Sequence, residues 1–243
     1  MLVLLVACAA PAAADTSAVP WPPFLGPRLA YPPDVVAAVE RIWIEPTLTR
    51  TVGGRPAHVP FELYNAFVDA PDVTAAAARF RKLARYEVDA LDDDWYRATD
   101  NDGSHGMYRV IVREPVRRVV LSWGEHSGRI LGTISGSALT VVELRPNGNG
   151  IEQVLTARVR IDQPVAAALA RLLITVFGRL ADRKLAEGFA VTARVAEWAF
   201  EQPREFCEWI THEPLPAARR ERMLAVVPGC AARAGAPQAA TSY

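Results

Sequence analysis

Four histidines, three cysteines and 27 acidic residues are the groups with which this chain could do chemistry. Their spacing decides which chemistry. In "SWGEHSG", Glu125 and His126 set a carboxylate beside an imidazole, the pairing used for general acid–base work. Neighbours on a strand point to opposite faces, so these two share a pocket only across a bulge, whereas Trp123 and Glu125 share a face without one. The plainer reading of His126 is a strand-edge histidine in water. His105 in "NDGSHG" stands near Asp100 and Asp102 and invites a metal. In calcium-loop register, however, Ala98 takes the first ligand place and Arg109 that of the final Glu, so the calcium reading fails. Asp92, Asp93 and Asp94 read as a solvated turn.

His58, His105, His126 and His212 show no H-x-x-x-H spacing. C-x-x-C, G-x-S-x-G, the Walker loop and the dinucleotide glycine fingerprint are missing too, which weighs against hydrolase, kinase and dehydrogenase readings. A cyclase is untouched by these absences, because its chemistry can rest on holding a reactive chain in one shape. No metal and no cofactor is expected. The formal net charge of zero argues against a nucleic-acid partner, which would normally show a basic stripe.

The elements that would position such groups follow from periodicity. "PPDVVAAVERIW" reads as a short helix with Asp34 as N-cap and Val36, Val39 and Ile42 on its apolar face. "TLTRTVGG" reads as a strand. "PFELYNAFVDAPDVTAAAARF" reads as two short helices, the second capped by Asp72 after Pro71 breaks the first. From Tyr86 the period becomes two, and turn residues at "REPVRR", "HSG", "SGS" and "RPNGNG" join the strands into an antiparallel meander. Alternation places Tyr108, Val110 and Val112 inward and Arg109 and Arg113 outward. It puts Val119, Leu121 and Trp123 on one shared face. In the last strand Leu155, Ala157, Val159 and Ile161 point inward, and Thr156, Arg158 and Arg160 point to water.

A long helix should run from about Pro164 to about Phe200, with Val165, Leu169, Leu172, Val176 and Leu180 as its apolar stripe. Gly178 and Gly188 interrupt it and suggest a kink or a close backbone approach. Residues 34–200 form the expected domain, 201–230 a helical extension and 231–243 a disordered tail.

The order is strand, two short helices, curved antiparallel sheet, long helix. It resembles the helix-grip fold of the START-like (SRPBCC) superfamily, which includes polyketide cyclase/dehydrase-like and birch-pollen-allergen-like proteins. The resemblance rests on element order over residues 45–200. It rests also on "GSALTVVELRPNGNGIEQVLTARVRIDQPVAAALARLL", where a strand pair passes through an Asp-x-Pro joint into the terminal helix. It implies an α+β fold, a curved antiparallel sheet wrapped around the C-terminal helix, with an apolar ligand between them. It carries over no catalytic residue. Beside it, the residues themselves give the same picture: one helix of ~10 Å diameter cannot fill the hollow of a wide sheet. Trp95, Tyr108, Trp123, His126 and Phe177 are the expected cavity wall, with only one of Trp95 and Tyr96 facing in.

Residues 1–14 read as a signal peptide, with Ala12-Ala13-Ala14 before the cleavage point, although the usual basic start is missing. Alternatively, Leu5-Val6-Ala7-Cys8 reads as a lipobox that would tether the protein to a membrane through Cys8. Residues 15–33, rich in proline, read as a leader. Export implies a periplasmic or secreted protein, or a lipoprotein anchored in the outer membrane. There Cys207 and Cys230 would pair as a disulfide, the alternative being two buried thiols. Three functions stay open: an envelope protein that binds a hydrophobic small molecule or lipid, a cyclase/dehydratase-type enzyme in the same cavity, or a structural protein of the envelope with a filled core.

Overall fold

The computed structural model describes residues 20–128, 132–148 and 150–230; within the long helix the side chains of 165, 166, 169–181, 183 and 184 lie outside the description. The elements are α1 (Pro33–Ile44), β1 (Leu48–Gly53), α2 (Phe61–Asp69), α3 (Pro71–Phe80), β2 (Glu87–Ala90), β3 (Trp95–Thr99), β4 (Ser104–Glu114), β5 (Arg117–Gly128), β6 (Gly132–Asn147), β7 (Gly150–Ile161), α4 (Pro164–Glu201), α5 (Pro203–His212) and α6 (Ala217–Val226). All seven strands form one antiparallel sheet in the order β1-β7-β6-β5-β4-β3-β2. The long helix α4 lies against β1, β7, α2 and α3. This is the α+β helix-grip arrangement that element order implies.

Both faces of the sheet are covered. On the inner face, α2 to α6 build a core that includes Tyr64, Phe67, Leu144, Ile151, Trp198 and Phe206. On the outer face α1 lies across β6 and β7, and Val35, Val39 and Ile42 meet Val119, Leu121 and Leu139. The helix therefore buries Val35 rather than Val36. Residues 21–31, read from their prolines as a leader, pack here too: Leu25 is 2% exposed, and Trp21, Phe24 and Tyr31 join it. Prolines deny this stretch a periodic pattern but leave its aromatics free to cover apolar strand surface.

Three other expectations are corrected. Proline occupies the first helical position of α3, so the N-cap is Ala70 and Asp72 sits inside the first turn. "SGS" is no turn: β6 runs unbroken for 16 residues, and Gly136 stands in register with Gly124 and Gly106. A Cβ on Gly136 would come within 2.6 Å of the Arg160 carbonyl oxygen, and one on Gly106 within 2.4 Å of that of Trp123. The glycine row lets strands crowd together where side chains would hold them apart, which is how a sheet coils. Lastly, Arg158 does not face water. Its guanidinium lies 3.8 Å from the ring centroid of Trp43 in α1 and donates to the Trp43 carbonyl at 3.3 Å. The proposed stripe of α4 (Val165, Leu169, Leu172, Val176, Leu180) and Gly178 lie outside the described side chains.

The C-terminal extension is fixed to the domain. A disulfide joins Cys207 of α5 to Cys230 after α6, 23 residues apart. Phe206 and Ile210 are fully buried and Trp209 is 7% exposed. Closing a loop of that length stabilises the fold by about 3 kcal/mol in the chain-entropy account. Cys207→Ser with Cys230→Ser is expected to lower stability by that order in denaturant titration. A loss below about 1 kcal/mol would mean that packing alone holds α5 and α6.

Candidate functional site

Between the inner face and the helices lies a partly enclosed cavity of about 410 Å3, within the ~300–1,000 Å3 range of small-molecule sites. Its floor is the sheet, through Val88, Tyr108, Val110, Val120, Val142 and Leu155. One wall is Tyr64, Phe67 and Thr74 from α2 and α3. The roof is Leu185, Gly188, Phe189 and Thr192 from α4. Period-two alternation explains the floor. Val110, Val120 and Ala157 share an inward line through paired registers, as do Val142 and Leu155 beside them.

A charged cluster closes one end. Strand β4 carries a bulge between Val110 and Val112. The extra residue inverts the alternation, so Val112 joins the outer core and Arg113 turns inward, the reverse of the simple pattern. Asp69, at the end of α2, takes both arginines of this corner. Arg118 grips it bidentately at 2.6 and 2.9 Å, and Arg113 also donates to it. Arg118 is 5% exposed, and its remaining donors go to Asn65 and to the carbonyls of Glu114 and Arg117. Arg113 reaches the Asp94 carboxylate at 3.2 Å and the Asp93 carbonyl at 3.3 Å. Burial works against the charge on Arg113, but the Asp69 carboxylate and the Asp94 hydrogen bond outweigh it and hold its pKa above the ordinary value.

Behind this cluster α6 inserts Arg219, 6% exposed, which donates to the Tyr96 hydroxyl at 3.2 Å and the Asp92 carbonyl at 2.9 Å. Asp72 lies 3.8 Å from Arg219, and neither of its carboxylate oxygens has a hydrogen bond.

Three phenols face the cavity, and each has its pKa raised. For Tyr64 the causes are burial and then Glu197. For Tyr86 burial outweighs the opposing Arg79. For Tyr108 burial comes first, then Tyr96, Asp72 and Tyr86, against Arg219. A phenol that ionises later in the folded state contributes stability below the ordinary value of 10.0 and loses it as pH rises further. Melting temperature should therefore fall steeply once pH exceeds 10.0, and less steeply in Tyr64→Phe. A flat profile would show these phenols already free to ionise.

The expected wall residues separate. Tyr108 lines the cavity and stacks on Tyr96, centroids 5.0 Å apart. Trp95 and Trp123 do not line it. Register puts Trp95 opposite Arg109 and Leu121, hence on the outer face, and their two rings stack there at 5.6 Å. They border a more open groove of about 600 Å3 beside Arg41 of α1, with His105 and Glu125. The shared face of Val119, Leu121 and Trp123 is real, but α1 covers it. His126 is exposed at the far sheet end, its Nδ1 3.0 Å from the Ser104 hydroxyl; it is not in the cavity lining. The Phe177 side chain lies outside the described residues. Gly188 makes no close backbone approach: a Cβ there would meet nothing within 4 Å. Asp92 accepts from the backbone N–H groups of Asp94 and Trp95 at 2.8 and 2.7 Å, a turn needing no cation.

With this geometry in place, the chain can be compared with known proteins. No family model matches it, and no curated protein matches its sequence. Solved structures do. A conserved protein from Geobacillus kaustophilus aligns over 63% of this chain and 97% of its own, at 17% identity and TM-score 0.49. A protein from Rhizobium leguminosarum aligns over 62% and 94%, at 18% identity and TM-score 0.42. Ara h 8.0201 aligns over 62% and 99%, at 15% identity and TM-score 0.40. Likeness at this level carries no argument about activity, so function rests on the cavity.

Proposed function

We propose that this protein binds a hydrophobic small molecule or lipid in the cavity between sheet and α4. The observation that carries the reading is the apolar floor and roof around about 410 Å3 of space. A partly enclosed hollow of this size, lined mainly by apolar side chains with a few polar groups, is the usual form of a small-molecule site. Burying an apolar ligand there removes its surface from water at ~25 cal/mol per Å2. The enzyme reading draws less support. Among the described residues, the carboxylate lining the cavity is Asp69, and both its oxygens are taken up by Arg113 and Arg118.

We further propose that the protein works outside the cytoplasm, after removal of residues 1–14 or lipidation at Cys8. The Cys207–Cys230 bridge supports this, since such bonds persist in oxidising compartments. Native mass spectrometry of protein purified from its host tests the binding. A co-purifying apolar molecule, released on denaturation, is the expected result. A clean unliganded mass, with no uptake from added host lipid extract, would overturn it.

A further inference from the structure

The cavity's polar groups differ in one respect: most are already satisfied by the protein, while the hydroxyls of Tyr86 and Tyr108 and two N–H groups of Arg113 have no acceptor among the described residues. The Tyr64 hydroxyl donates to Gln153, Thr74 to the Phe67 carbonyl at 2.7 Å and Thr192 to the Gly188 carbonyl at 3.0 Å. Arg118 has an acceptor for each of its five N–H bonds. The hydroxyls of Tyr86 and Tyr108 line the same cavity, and neither has a hydrogen-bond partner among the described residues. Both residues are part-buried, so their hydroxyls are open to the cavity; an apolar ligand that displaces water from them leaves each without a partner unless it brings one of its own.

The charges decide the kind of group. At this end four arginines, 113, 118, 219 and 222, face four aspartates, 69, 72, 93 and 94. The corner is electrically balanced, and Asp69 already occupies the position that a ligand carboxylate would take between Arg113 and Arg118. An anionic ligand would have to displace Asp69 or sit near the unbonded Asp72. Burial keeps both free phenols protonated at any ordinary pH, so each presents a donor.

Resting on the binding reading above, we infer that the ligand is a neutral, largely apolar molecule whose one polar end is a hydrogen-bond acceptor, a carbonyl or hydroxyl oxygen, seated on Tyr86 and Tyr108. Fatty-acid anions and other carboxylates are poor ligands of this site.

Three naphthalenes of one shape separate the possibilities: acetylnaphthalene offers a neutral acceptor, isopropenylnaphthalene none, and naphthoate a carboxylate. Calorimetric titration of the full chain should show acetylnaphthalene binding about 10-fold more tightly than isopropenylnaphthalene, the value of one well-placed neutral hydrogen bond. Naphthoate should bind most weakly. Tyr86→Phe combined with Tyr108→Phe should abolish the preference for acetylnaphthalene while leaving isopropenylnaphthalene within about twofold, which also reports that the cavity is intact. Equal binding of the two neutral probes by the parent protein would overturn the acceptor assignment and leave the apolar cavity standing. Tightest binding of naphthoate would overturn it in favour of an anion site at Arg113. Failure of all three to bind would remove the cavity reading itself, and this inference with it.

Discussion

Asp69→Asn is expected to destabilise the fold by about 4 kcal/mol, a large loss for a change of one atom in one side chain. The carboxylate holds Arg118 through two hydrogen bonds and Arg113 through a third. Arg118 is almost wholly buried, and an amide in place of Asp69 leaves its charge in low-dielectric surroundings with no counter-ion. Removing one partner of a buried pair costs more than the pair contributes, because the survivor keeps its desolvation penalty. Surface pairs such as Arg145–Glu143, with Arg145 64% exposed, serve as the contrast: Glu143→Gln should cost under about 1 kcal/mol. Urea titrations of the two variants test the ranking. Equal small losses would mean that water reaches the Arg118 corner.

The second large effect falls on binding rather than stability. Gly188 lines the cavity inside α4, and a side chain there would project into open space. Glycine within a helix costs ~1 kcal/mol against alanine. Gly188 is exposed at the open side of the cavity, so Gly188→Ala should raise stability slightly, and Gly188→Trp should fold while blocking that opening. The expected result is a melting temperature at or above that of the parent, with affinity for apolar probes lowered by at least about 100-fold. If Gly188→Trp binds as the parent does, the ligand sits elsewhere, and the open groove beside Trp95 and Trp123 becomes the alternative place to look. The two substitutions thus separate what holds the fold from what occupies it.

How far sequence reached depends on how local each signal was. The meander, the two short helices and the helix entered at Pro164 all rest on period and punctuation, which act over a few residues, and these are present in the structure. Tyr108 was legible as a cavity residue because no irregularity intervenes between it and its neighbours. Arg113 was not: a single extra residue in β4 inverts every face beyond it, and nothing in "YRVIVREP" marks the bulge. Trp123 was assigned to the correct face but to the wrong side of the protein. Alternation says which residues share a face, never which face the later helix will cover, and α1 with residues 21–31 covers that one. Asp69 and Arg219 escaped for a different reason. They meet across 150 residues of chain, Arg219 donating to the Asp69 carbonyl at 3.4 Å, and no local pattern encodes such a contact. Gly136 shows the converse error, a turn residue by type that serves mid-strand as part of a row only register reveals.

Ligand binding requires open apolar space between sheet and α4, and xenon reports that space directly, since the gas enters dry apolar cavities. A crystal of the protein pressurised with xenon should show the atom bound among Val120, Val142, Leu155 and Phe189. Density confined to the outer groove, or an interior in which these four side chains close on one another with no xenon between them, would contradict it.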